Sequence, residues 1–175
     1  DFAVNWGVSI GDRTVVVTNN DDAYRTALAL VDAGLSVPAI LDARPEGAGD
    51  LGAVAAAKGI RILKGYGVAK VTGTRRVTGV AVCLQAGEGA VTEVIPCEAV
   101  AMSGGWSPVV HLWSHCGGKL TWDEDQAMFR PDATRPPTGA DGAAFVRTAG
   151  TANGHLTASA VLADAVEAGR AAAKA

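Results

Sequence analysis

The chain has 175 residues, with 15 Lys and Arg against 18 Asp and Glu, for a formal net charge of −3. That length suits one ordinary domain with a sizeable core, and the charge excludes a basic footprint for nucleic acid and a polybasic membrane patch. Hydrophobic residues make up 49% of the chain, but Ala supplies much of that fraction, so the core is expected to be built from small side chains.

No apolar run reaches the ~20 residues of a membrane-spanning helix, and no stretch reads as a signal peptide. The chain begins at Asp1 without a methionine, and residues 3–10 read as the end of a preceding segment. The expectation is an excised or processed piece of a longer polypeptide, with 1–13 as a lead-in.

The first strong signal is 14–45, TVVVTNNDDAYRTALALVDAGLSVPAILDARP. Val15, Val16 and Val17 are β-branched and apolar, as in a strand buried on both faces of a parallel sheet. Asn20, Asp21 or Asp22 can cap a following helix. Ala27, Leu28, Leu30 and Val31 give that helix an apolar face, and Gly34 is a left-handed stop. Residues 37–41 read as a second buried strand ending in Asp42, which completes a right-handed βαβ crossover.

Such a unit is where a dinucleotide binds, yet its tight turn departs from the G-x-G-x-x-G/A fingerprint. The aligned positions are Thr18, Asn20 and Ala23, of which only the last keeps a small residue. The second glycine lets a pyrophosphate approach bare backbone, so the Asn20 side chain is expected to obstruct it. Asp42 lies 22 positions after Asn20, about where a ribose-binding acid belongs. Two readings stay open: a live nucleotide site, or a retained fold with a lapsed site.

Residues 48–58 read as a second helix, with Asp50 as cap and Gly59 as stop, and 60–63 as a third strand. From Gly65 the period changes. Residues 68–71, 77–82 and 91–97 are short β-rich runs joined by polar, Gly-containing connectors, TGTRR and QAGEGA. They predict a three-stranded antiparallel meander packed on one face of the parallel sheet. Arg75 and Arg76 at the hairpin tip read as a solvated turn.

Residues 99–102 return as a strand, followed by SGGWSPVVHLWSHCGG. Ser107 and Pro108 predict a helix start running to about His115, with Gly117 and Gly118 ending it. Gly104 and Gly105 leave bare backbone at a strand end, where open α/β sheets bind ligands. A purely structural turn is the competing reading. Residues 120–122 suggest a strand, 129–142 a Pro- and Gly-rich loop, 144–149 a final strand, and 156–173 an Ala-rich helix. The intervening Gly150, Thr151, Ala152, Asn153 and Gly154 present free N–H groups at a helix start, an anion site for a dinucleotide pyrophosphate.

Cys83, Cys97 and Cys116 are widely spaced and form no C-x-x-C, which argues against a disulfide framework or zinc site. They read as buried free thiols suited to a reducing cytoplasm, the expected location. His111 and His115 have i, i+4 spacing beside Cys116 but lack further ligands, and read as a helix-surface pair rather than a metal site.

A degenerate βαβ unit, a meander, a strand with a Gly–Gly loop and a terminal strand–Gly–helix together resemble the pyridine nucleotide–disulfide oxidoreductase architecture. That resemblance implies a Rossmann-like α/β fold. Residues 14–98 would form an NAD(P)-binding-like inserted domain with the meander, and 99–175 the returning part of an outer FAD/NAD-binding-type domain. Where that family ends its last strand in Gly–Asp against a flavin, this chain has Gly150–Thr151, so a flavin is not expected here.

VVVTNNDDAYRTALAL, AMSGGWSPVVHLWSHCGGKL and TAGTANGHLTASAVLADAVEAGRAAA resemble more closely the alpha-subunit family of heterotetrameric sarcosine oxidases. That family oxidatively demethylates sarcosine to glycine, releasing peroxide and passing a one-carbon unit to tetrahydrofolate. The resemblance implies NAD in the intact alpha subunit, weakly held or absent in this piece, with the other subunits and the rest of the alpha chain as partners. The family's amine-oxidising residues and folate domain have no counterpart here, so no catalytic residue is expected. The alternatives are a stand-alone flavin- or NAD(P)H-dependent reductase and a non-enzymatic subunit-interaction scaffold.

Overall fold

A computed structural model describes residues 2–124, 126 and 128–174. The chain divides into two compact units, 1–105 and 106–175.

In the first unit the TVVVT run forms β1 (Thr14–Thr18) at the middle of a parallel sheet. Helix α2 (Asp22–Asp32) follows a short N-terminal helix, α1 (Phe2–Trp6), in chain order and leads to β2 (Ala39–Asp42). Helix α3 (Asp50–Ala57) leads to β3 (Arg61–Lys64), and β7 (Ala99–Ser103) returns on the far side of β1. The sheet order is β3-β2-β1-β7, all parallel. No helix among the described residues is long and apolar enough to cross a membrane.

Alternation along a strand decides which layer each side chain joins. Val16 and Ile40 point into a cluster with Ala23, Tyr24, Ala27 and Ala55 from the helices. Their neighbours Val15, Ala39 and Leu41 point the other way, against Val80, Val82 and Ile95 of the meander and Cys97 just beyond it. Both sheet faces are therefore covered, which is why these strands read as unbroken apolar runs rather than alternating ones. The meander is β4 (Tyr66–Gly73), β5 (Val77–Leu84) and β6 (Val91–Ile95), paired antiparallel in that order.

Helix ends depart from expectation in detail. Gly34 and Gly59 stop their helices with φ of +84° and +80°. Asp50 is the first residue of α3 rather than its cap; Gly49 stands at the cap position. At the start of α2, Asp21 stands at the cap position without a side-chain cap bond, and Asn20, one residue further out, accepts the Asp22 N–H through Oδ1 at 3.1 Å. Strand β7, expected with the C-terminal part of the chain, completes the first unit's sheet, and the chain divides beyond it at Gly105.

The second unit begins with a loop. Helix α4 spans only His111–His115, so Ser107 and Pro108 precede it without starting it. Trp113 is buried and donates from Nε1 to the Lys119 carbonyl at 2.7 Å. Strands β8 (Leu120–Asp123) and β9 (Met128–Pro131) form a hairpin, placing β9 inside what reads as loop in the sequence. Trp122 and Phe129 face each other across it with ring centroids 5.0 Å apart at 67°.

Residues 144–149 are not a strand. Only Ala144 forms a bridge, to Thr138, although Ala149 has extended backbone at φ −145° and ψ 149°. A strand requires a neighbour's N–H and C=O groups, and among the described residues the pairing stops at the start of this segment, where the Phe145 N–H donates to the Pro137 carbonyl at 3.2 Å. A 3-10 turn (Gly150–Asn153) follows, then α5 (Ala158–Ala172), whose Thr157 cap accepts the Ala160 N–H at 3.4 Å. Helix α5 has no buried residue. His111, His115 and Cys116 are exposed; of the three thiols only Cys83 and Cys97 are buried.

Candidate dinucleotide-binding site

The connection out of β1 runs one way, through α2 to β2, while β7 lies on β1's other side. That reversal leaves a crevice at the carboxyl ends of β1 and β7, the position where open α/β sheets bind ligands. Register fixes its floor: Thr18 lies opposite Asp42 on one side and Ser103 on the other.

Asn20 closes this crevice. Its Nδ2 donates to the Ser103 carbonyl at 3.2 Å, to Ser103 Oγ at 3.0 Å and to Asn19 Oδ1 at 3.2 Å. Thr18 Oγ1 accepts the Asn20 N–H and donates to the Asn20 carbonyl, both at 3.0 Å. The turn thus spends its polar groups on itself. Gly105 has φ +90°, and a side chain there would lie 3.5 Å from Asn19 Oδ1, so glycine suits both the backbone and the close approach. Nothing stands near Gly104.

Asp42 does not stand open as a ribose acceptor. Its carboxylate is fully buried and accepts from the Tyr24 hydroxyl at 2.8 Å and the Arg44 amide at 3.0 Å. Arg44 Nε and Nη2 add bonds at 3.1 and 2.9 Å. Burial alone would raise the Asp42 pKa, but the Arg44 guanidinium and amide and the Tyr24 hydroxyl outweigh it and hold it below 3.8. The same burial, with the carboxylate beside it, pushes Tyr24 up to about 12. Arg44 also pairs with Asp21 at 2.8 Å, so the acid, the tyrosine and the arginine join the end of β2 to the start of α2.

Gly150, Thr151, Ala152, Asn153 and Gly154 lie in the second unit. Here an internal acid takes the place foreseen for an anion. Asp164 Oδ2 accepts the Gly150 N–H at 2.6 Å, and the Asn153 amide reaches Asp164 Oδ1 at 3.3 Å. His155 Nε2 lies 3.6 Å from the same carboxylate. Gly154, at φ +88°, abuts Arg130, where a Cβ would fall 2.4 Å from Cδ.

Sequence reasoning missed Ser103, Tyr24, Arg44 and Asp164. The D-x-R spacing of Asp42 and Arg44 carried a usable signal. Tyr24 and Asp164 are brought to their partners only by folding.

The sheet order, the meander on one face and the switch point are those of the FAD/NAD(P)-binding reductase fold. A thioredoxin reductase from Lactococcus lactis superimposes with a TM-score of 0.67 at 19% identity, covering 93% of this chain and 52% of that one. In sequence the chain is 34% identical over 124 residues to the sarcosine oxidase subunit alpha of Rhizobium meliloti (strain 1021). It is 35% identical over 132 residues to the sarcosine oxidase subunit alpha of Corynebacterium sp. (strain P-1). These alignments cover 71% and 73% of this chain but only 12% and 13% of the relatives. No family model matches. The chain is related to the sarcosine oxidase alpha subunits and has a dinucleotide-binding oxidoreductase fold.

Proposed function

We propose that this chain is a portion of a sarcosine oxidase alpha subunit and supplies an NAD-associated, non-catalytic layer. The oxidative demethylation of sarcosine to glycine, with peroxide release and one-carbon transfer to tetrahydrofolate, belongs to the assembled cytoplasmic heterotetramer rather than to this piece. The observation that carries the reading is the Asn20–Ser103 contact: the backbone keeps a nucleotide-binding shape while a side chain occupies the crevice. With β7 in the first unit's sheet, residues 106–175 rather than 99–175 are read as the returning part of an outer dinucleotide-binding domain, in which the 144–149 segment gains a strand partner. Within the first unit, NAD in the intact subunit would meet Gly104 and Gly105 rather than Asn20 or Asp42; within the second, the 150–154 loop would contact a cofactor only by releasing Asp164. A sarcosine-dependent peroxide assay on this chain alone should be blank. Turnover would overturn the non-catalytic reading, and a yellow preparation with flavin absorbance would favour a stand-alone reductase instead.

A second reading, a subunit-interaction scaffold, gains from the exposure of Trp6, Trp106 and Trp122, at 73%, 62% and 45%. Aromatic residues concentrate at interface hot spots. The Asn20 substitution described in the Discussion separates the two.

A further inference from the structure

The end of the parallel sheet remote from the crevice carries a different feature. Arg13 immediately precedes β1, Glu98 immediately precedes β7, and Arg76 leads into β5. Together with Thr78, Pro96 and Cys97 they line a cavity of about 250 Å³. Its walls are tied by backbone hydrogen bonds. The Arg13 carbonyl accepts from Glu98 and Ala99 at 2.8 and 3.2 Å, and the Cys97 N–H reaches the Thr78 carbonyl at 3.4 Å.

Charge in this cavity is unbalanced. Among the described residues, neither the Arg13 nor the Arg76 guanidinium has a hydrogen bond or ion pair. By contrast Arg44, Arg61 and Arg135 are each paired with a carboxylate within 3.0 Å. The one acid on the wall, Glu98, already accepts the Asp12 N–H at 2.8 Å through Oε2. Pro96 and the buried Cys97 give an apolar backing, and the Thr78 hydroxyl, whose contact is Thr72 Oγ1 at 3.3 Å, keeps spare hydrogen-bonding capacity. A concave, partly apolar wall strengthens the field of two unneutralised cations over that of the same cations on an open surface. Guanidinium groups match oxyanions through paired N–H donors.

We propose that this cavity binds a small organic oxyanion, a carboxylate or phosphate group held by Arg13 and Arg76, with Thr78 as an additional partner and Pro96 and Cys97 against its carbon skeleton. The site is separate from the dinucleotide crevice and does not depend on the function proposed above.

Calorimetric titration of the full chain at low ionic strength, with succinate and with inorganic phosphate as probes, tests it. Saturable binding of at least one probe is expected, weakened at least tenfold by Arg13→Gln and by Arg76→Gln and tightened by Glu98→Gln. Arg75→Gln, on the same hairpin but outside the cavity wall, should leave binding unchanged. Succinate binding alone assigns a carboxylate ligand, and phosphate binding alone a phosphate. Absence of saturation with both probes overturns the site, as does wild-type affinity in both cavity arginine variants or an equal loss in Arg75→Gln. Should Arg13→Gln fail to fold, Arg76→Gln decides, with the shift of the Thr78 amide resonance on titration as the second readout.

Discussion

Asn20 and Ser103, 83 positions apart, meet side chain to backbone at 3.2 Å and side chain to side chain at 3.0 Å across the mouth of the parallel sheet. One residue therefore stitches the turn after β1 to the end of β7, where a glycine would leave a gap. Affinity for a dinucleotide and rigidity of the turn are set against each other at this position.

Asn20→Gly removes that stitch. It should lower stability by about 1–2 kcal/mol, from lost hydrogen bonds and added chain entropy. NAD affinity measured by calorimetry should rise. A variant that folds but binds NAD no better than the parent would sink the lapsed-site account and favour the scaffold.

Asp42→Asn keeps the shape of a fully buried side chain but removes the charge facing Arg44. It also turns one acceptor toward Tyr24 or Arg44 into a donor. A loss of about 2–4 kcal/mol is expected, because a buried partner is left unsatisfied. Urea midpoints at neutral pH would measure it; a change below a few tenths of a kcal/mol would mean the network is not structural.

The same pair sets two pH limits. Asp42 has a folded pKa below 3.8, so its stabilisation is present above that value and fades as pH falls through the lower folded one. Tyr24 has a folded pKa raised from 10.0 to about 12, so its contribution is present below pH 10.0 and lost as pH rises toward about 12. In a Tyr66→Phe background, tyrosinate absorbance should lag well above the ordinary tyrosine range until the protein unfolds. Titration of Tyr24 near 10 in the folded protein would contradict the buried Asp42 contact.

Gly118→Ala probes the second unit. A Cβ there would sit 2.5 Å from Trp113 Nε1 and 2.8 Å from Pro137 Cδ. Overpacking against a buried ring should destabilise by about 1–3 kcal/mol and disturb the near-ultraviolet circular dichroism of the tryptophans. Parental stability and spectrum would show that the ring is not wedged there.

The sequence by itself determined the βαβα layers and the meander. Their signals are local: three consecutive β-branched residues, an apolar helical face, and glycines that must adopt positive φ at Gly34 and Gly59. It also located the defective turn, because a missing glycine is visible without coordinates. Tertiary structure alone decided what fills that turn. Ser103 reaches Asn20 only because β7 lies parallel beside β1, a pairing across 85 positions that no local pattern encodes. It likewise turned Asp42 from a nominal ribose acceptor into a buried anchor for Tyr24 and Arg44, and put Asp164 against Gly150. It withheld a ladder from 144–149 because pairing is a property of two segments, and among the described residues the second segment meets that run only at its start, through the Thr138–Ala144 bridge.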